Sequence, residues 1–517
     1  MVREKNNEID SSKQIKRGAI MSYVAIFFNI AAGLVYIPWM IRQIGQSEYG
    51  LYSLALTVIS FFTMDFGLGE AVARFMSQYN AEGNKQKASE FLGITFKLYI
   101  VIDAAIFITL LFVFLFVGNI YTGLTTSELA QFKIVFVIAA LYSIASFPFT
   151  PLNGVLISNE KFVFYKFTDL LNKVLTVFTM VIVLLLGYRL YALVVVNAIA
   201  GLITIALKMN YIRQRKLVSV NFKAKDKTIV RSIFSYSIWT TIIIVSQRFI
   251  MNITPTVLAA FAGSVQISLF AIAMTIEGYT WTFANALNGL FLPKVTRMTV
   301  HSDESKDVEN LMIKVGRIQL VMTGLLIIGF LTMGKEFMIL WIGDSFKESY
   351  YITMLLIGTG IITLTQQIGN TMLIAINEIR YRAFCASITA GISITISILL
   401  SQTYGAIGAG IAILIGNIIG QVIGLNVVYN KVLKINILRF FKECHVKMAF
   451  PLIVACIIGY AIQYFLPVQS LLLFLLKACV FGGIYLIIMW FTALNQYEKG
   501  LFIEIFRNTK SKLTGGI

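Results

Sequence analysis

Ionisable residues are few in this sequence, and most of its chemistry must come from those that fall inside apolar runs. Asp65 and Glu70 close one such run, with Arg74 just beyond; Asp103, Asp169, Lys173, Arg248, Glu277 and Lys477 lie within others. A charge in hydrocarbon is costly, so each of these is expected to face a cavity, a partner or a ligand. Asp169 and Lys173 are four apart and share a helical face, as do Glu70 and Arg74. Both pairs also read as structural ion pairs, the second as side chains reaching to the interface. Arg248, in Ile242-Ile243-Ile244-Val245-Ser246-Gln247-Arg248-Phe249-Ile250-Met251, has no carboxylate within a helical turn. It needs a partner from another helix, a water-filled cavity or an anion, and its planar fork suits phosphate oxygens. Glu277 and Asp65 are candidates to pair with it, or to carry a coupling proton or sodium ion.

The elements that must position these residues follow from composition. Of 517 residues, 58% are hydrophobic and 13% charged, against roughly 25% charged in a soluble domain. Hydrocarbon offers no hydrogen-bond partners, so the backbone must satisfy itself as helices or as a closed barrel. The apolar runs are continuous for about twenty residues, the length of a helical span, and do not alternate as barrel strands would. The sequence therefore predicts an all-α integral membrane protein of about fourteen spans. They are placed near 18–41, 49–69, 91–117, 132–157, 163–187, 190–211, 232–258, 265–292, 317–340, 350–376, 382–402, 406–429, 446–466 and 469–494.

The net charge of +18 reads as a topology signal and not as a nucleic-acid surface. If the intervening loops are assigned alternately to two sides, 35 of the 43 Lys and Arg fall on the side of both termini, 5 opposite and 3 within spans. That asymmetry puts both termini in the cytoplasm of a multi-pass protein. The side with few basic residues carries only short loops, so a catalytic domain has no place there. The four cysteines (Cys385, Cys444, Cys456, Cys479) show no paired spacing, and the two histidines, His301 and His445, lie in polar segments. Neither a metal site nor a bound cofactor is expected, and no nucleotide-binding or nucleophile motif occurs.

An internal repeat organises the spans. Gly45-Gln46-Ser47-Glu48-Tyr49-Gly50-Leu51-Tyr52-Ser53-Leu54-Ala55 aligns with Gly263-Ser264-Val265-Gln266-Ile267-Ser268-Leu269-Phe270-Ala271-Ile272-Ala273. Six spans separate the copies, so the two halves have the same orientation, a common transporter plan around a central cavity. The expected division is a cytoplasmic tail at 1–17, a six-helix half at 18–212 and a basic linker at 213–231. A second six-helix half at 232–430, a loop with two extra helices at 431–494 and a C-tail at 495–517 complete it. Pro38, Pro148, Pro151 and Pro255 mark bends, as hinges or as packing kinks.

Several stretches resemble the polysaccharide-transporter branch of the multidrug/oligosaccharidyl-lipid/polysaccharide exporter superfamily, the O-antigen-type flippases. The likeness is carried by Pro38 with Arg42-Gln43-Ile44-Gly45 and Glu48-Tyr49-Gly50-Leu51-Tyr52, and by Asp65-Phe66-Gly67-Leu68-Gly69 with Ala71 and Arg74. Pro151-Leu152-Asn153-Gly154 with Asn159-Glu160-Lys161-Phe162, and Tyr404-Gly405-Ala406-Ile407-Gly408-Ala409, extend it. The family often has Asp-Arg-Phe where this chain has Gln247-Arg248-Phe249, so no ion-coupling role transfers to position 247. The resemblance implies a flippase, not an enzyme. Its substrate would be an undecaprenyl-diphosphate-linked glycan, moved from the inner to the outer leaflet of the bacterial plasma (inner) membrane. Implied partners are the lipid bilayer, that glycan and other polysaccharide assembly proteins. Arg248, Lys173, Arg74 and Arg42 are then the substrate-binding candidates; Asp65, Glu70, Asp103, Asp169 and Glu277 are the cavity or ion-coupling carboxylates. An ion-coupled drug exporter of the same fold and a peptidoglycan-precursor flippase are the alternatives. A membrane polymerase or ligase would need an outward catalytic loop, and the topology offers none.

Overall fold

Left-handed glycines and prolines cut the apolar sequence into helices. In the computed structural model, which describes residues 2–288, 304–496 and 498–500, α1 (Val2–Ile44) ends at Gly45, whose φ of +86° suits only glycine without strain. Then follow α2 (Gln46–Phe62), α3 (Leu68–Ala81), α4 (Lys85–Leu115), the short α5 (Val117–Ile120) and α6 (Thr126–Ser146). A capping box, in which Thr125 and Glu128 satisfy each other's backbone N–H groups, starts α6. Pro148 and Pro151 interrupt it through a 3-10 turn at Phe147–Phe149, after which α7 (Pro151–Ser158) resumes. The chain continues through α8 (Phe162–Leu185), α9 (Leu190–Gln214), α10 (Lys227–Phe261) and α11 (Ser264–Asn288). Beyond lie α12 (Glu304–Trp341), α13 (Ile379–Gly416), α14 (Lys447–Phe465) and α15 (Leu471–Ile488), with shorter helices between them.

Among the described residues ten helices are long and apolar enough to cross a membrane, or eleven if Asp344–Thr363 and Gln367–Ala375, bent by 60°, form one span. The remaining expected spans are present as helix among the described residues but differ in form; the last four positions of the span expected at 265–292 lie outside them. One apolar stretch, Ile379–Lys431, holds the spans expected at 382–402 and 406–429, joined at Gly405 (φ +53°, ψ −133°). At 17 residues α2 is short. In α11 the buried Glu277, with serine, threonine and glutamine, lowers the hydropathy. Together these account for about fourteen apolar helical segments.

The outward faces are apolar. Phe107, Ile108 and Phe112 on α4 are each at least half exposed, an arrangement that hydrocarbon stabilises and water would not. Packing divides the chain into two compact units, Met1–Ile272 with Ala386–Ile413, and Ala273–Cys385 with Leu414–Ile517. In the second, α12 packs among Gln367–Ala375, α14 and α15. Two ion pairs support it. Lys477 Nζ lies 2.7 Å from Glu336 and 2.7 Å from Gln463, and the Arg317 guanidinium grips both oxygens of Glu498 at 2.6 and 3.1 Å. His445, read from sequence as a loop residue, is partly buried, with Nε2 3.1 Å from the Ile361 carbonyl. Cys385 and Cys444 are buried free thiols, whereas Cys456 is half-buried and Cys479 exposed. Arg297, His301 and the C-tail from residue 501 lie outside the described residues.

Candidate functional site

The first unit holds a polar cavity where α2 breaks into α3. After Phe62 the chain leaves the helix, and Phe66 and Gly67 adopt left-handed conformations (φ +52° and +72°). Asp65 stabilises the break: its Oδ1 accepts a 2.9 Å hydrogen bond from the Gly67 N–H. Thr241 Oγ1 on α10 donates to the Phe66 carbonyl, which ties the break to α10. A backbone released from helix at this depth is tolerated because it lines a cavity and meets such partners.

Close packing brings the other wall in. A Cβ on Gly154 of α7 would lie 2.8 Å from the Gly69 carbonyl oxygen of α3 and 2.8 Å from the Val72 side chain. Only glycine allows this approach, and it sets Asn153, the neighbouring residue, beside Asp65. The cavity so formed has a volume of about 530 Å³, and Asp65, Asn153, Gln247 and Arg248 are among its lining residues. Arg248 comes from α10. Its guanidinium donates to Ser60 Oγ of α2 at 2.6 Å, and Asn252 Nδ2, one turn later, lies 3.2 Å from the same oxygen. Asp65 and Arg248 line the same cavity from different elements. A fixed cation, a carboxylate and two amides thus converge on one space within an apolar scaffold, an arrangement suited to a ligand with anionic and hydroxyl groups.

Behind this wall runs a chain of charges that the sequence did not connect. Lys208, near the end of α9, donates to Asn153 Oδ1 at 2.9 Å and lies 3.5 Å from Asp169 Oδ1. Asp169 also has Lys166 at 4.0 Å. Lys173, the residue four positions on, makes its 2.8 Å hydrogen bond to Asn29 of α1 and not to Asp169. The expected Asp169–Lys173 pair is therefore replaced by Asp169–Lys208. The i, i+4 spacing permits a pair, but helix packing offers each side chain a nearer partner. From sequence Lys208 reads as an interface lysine, and its place directly after the apolar run Leu202–Leu207 is the one signal that it turns inward.

The other candidates are dispersed. Glu70 and Arg74 are exposed on α3, and Arg42 is exposed in the last turn of α1. Asp103, half-buried on α4, has an enclosed Oδ1 with no hydrogen-bond partner among the described residues. Glu277, in the second unit, is buried and takes a hydrogen bond from the Trp281 side chain. Of the nine sequence candidates the cavity brings together two, Asp65 and Arg248, and Asp169 reaches it through Lys208 and Asn153.

The family described as polysaccharide biosynthesis protein matches residues 15–291. No curated protein sequence matches. Among solved structures, lipid II flippase MurJ in an inward closed conformation is similar at a TM-score of 0.70, with 15% identity over 91% of this chain and 98% of that one. An inward-facing multidrug resistance MATE family transporter of the MOP superfamily aligns at 0.64, with 13% identity over 79% and 96%. A MOP superfamily transporter from Pyrococcus furiosus aligns at 0.54, with 14% identity over 80% and 94%. These relatives are a flippase and transporters, not enzymes.

Proposed function

Because the chain belongs to the polysaccharide biosynthesis protein family, we propose that it is a flippase for an undecaprenyl-diphosphate-linked oligosaccharide. It carries that lipid from the inner to the outer leaflet of the bacterial plasma membrane, with both termini cytoplasmic, by ion-coupled alternating access. The observation that carries this reading is the cavity in which Arg248 stands near Asp65, Asn153 and Gln247. A diphosphate entering hydrocarbon loses its hydration, at a cost that rises steeply as the dielectric falls. A guanidinium held by Ser60 offsets part of that cost through paired N–H···O contacts, while the amides meet sugar hydroxyls. The lipid tail stays in the bilayer throughout. Asp65 is the carboxylate of this cavity and the coupling candidate, for a proton or a sodium ion.

The test is depletion of the protein in its host, without a redundant transporter, followed by mass spectrometry of lipid-linked intermediates. Accumulation of undecaprenyl-diphosphate carrying one defined glycan repeat, protected inside the cell, is the expected result. Accumulation of the peptidoglycan precursor instead assigns the chain to that lipid. An unchanged lipid pool overturns the flippase reading and directs attention to drug efflux.

A further inference from the structure

A second cavity in the first unit, of about 610 Å³, shares no lining residue with the one around Arg248. It lies where α8 begins and α9 ends. Lys161 immediately precedes α8 and Arg215 immediately follows α9, and both line it. Between them Phe164 and Tyr211 stack face to face, with ring centroids 3.8 Å apart and planes 12° apart. The Arg215 guanidinium lies 5.9 Å from the Tyr211 ring centre, within cation–π range. Phe167 and Leu217 extend the apolar wall, and Phe167 is exposed on the outer face of α8.

The lining combines two cations with a rigid aromatic and aliphatic floor, and among its described residues there is no carboxylate. The cavity around Arg248 differs, because there Asp65 balances the arginine. An occupant of the second cavity must therefore bring its own negative charge and an apolar body. It sits where apolar spans meet the basic segment Arg213–Arg231, the depth at which phospholipid headgroups lie. We propose that this pocket binds an anionic phospholipid, its phosphate between Lys161 and Arg215 and an acyl chain along Phe164, Phe167 and Leu217. Basic pockets between membrane helices select such headgroups, and the stacked rings form a preordered surface for the chain. The inference does not rest on the flippase reading, since no group of the first cavity takes part in it.

Native mass spectrometry of the purified full chain in detergent tests it, with phosphatidylglycerol and phosphatidylcholine titrated separately. The expected result is retention of phosphatidylglycerol over phosphatidylcholine, weakened by roughly tenfold or more in the double variant Lys161→Gln/Arg215→Gln. Exchanging the cations as Lys161→Arg/Arg215→Lys should preserve retention. Should the double variant fail to fold, Arg215→Gln alone, at an exposed helix end, should lose roughly fivefold. Unchanged phosphatidylglycerol retention in the glutamine variants overturns the proposal, as does equal retention of phosphatidylcholine. Full displacement by excess inorganic phosphate also overturns it, because the site would then be one for a free anion.

Discussion

Gly45 and Gly263 share a positive φ, +86° at both, and each leads directly into a helix. They begin the two copies of the sequence repeat. The helices they start meet each other, with Ser47 and Ser264 both donating to the Glu128 carboxylate. A Cβ on Gly50 would lie 2.0 Å from the Ser264 carbonyl oxygen. Replacing either turn glycine by alanine forces an L-residue into the left-handed region and should cost about 1 kcal/mol. Thermal unfolding in detergent measures this; both substitutions should lower the midpoint, Gly263→Ala at least as much as Gly45→Ala, because its Cβ also meets the Gly123 carbonyl oxygen at 3.1 Å.

Arg248→Ala should abolish or strongly reduce transport while membrane levels stay normal. Arg248→Lys keeps the charge but loses the planar fork, and transport should fall by roughly tenfold or more. The readout is the intracellular pool of lipid-linked intermediates, with immunoblotting for protein level. Full activity in the alanine variant would remove Arg248 from the mechanism.

Lys477 has only 2% of its side chain exposed and Glu336 12%. Lys477→Met leaves Glu336 without its cation in an apolar surround and should cost about 3–5 kcal/mol. Adding Glu336→Gln should recover much of that loss. A double-mutant cycle of thermal unfolding separates the pair's coupling from lost packing.

Lys208→Met breaks the links to both Asn153 and Asp169. Because Asp169 is 39% exposed and keeps Lys166 nearby, the stability loss should be smaller, about 1–2 kcal/mol. Transport should fall further than stability predicts, since Asn153 loses the bond that orients it. Unchanged transport at normal protein levels would confine Lys208 to a structural role.

Gly154→Ala places a methyl group 2.8 Å from the backbone oxygen of Gly69 and should cost about 1–3 kcal/mol as α3 and α7 separate. Gly482→Ala, where a Cβ meets nothing within 4 Å, is the control and should be neutral or slightly stabilising. Thermal midpoints of the two variants compare them directly.

Much of this architecture was legible in the sequence, because membrane insertion depends on local quantities. Uninterrupted apolar length implies a helical span, and glycine or proline at a run's end implies a break. The expected segments accordingly recur as helices, even where Gly405 joins two of them or α2 stops short. The repeat that begins at Gly45 and Gly263 was visible for the same reason, since a left-handed turn leaves glycine as its mark. What only the tertiary structure decided was the choice of partners. Asp169 chose Lys208 over Lys173, Arg248 found Ser60 on a helix 188 positions away, and Lys161 met Arg215 across one cavity. Each depends on how separate helices pack and rotate against one another. That packing follows from the summed contacts of many side chains, to which no short stretch of sequence is a guide.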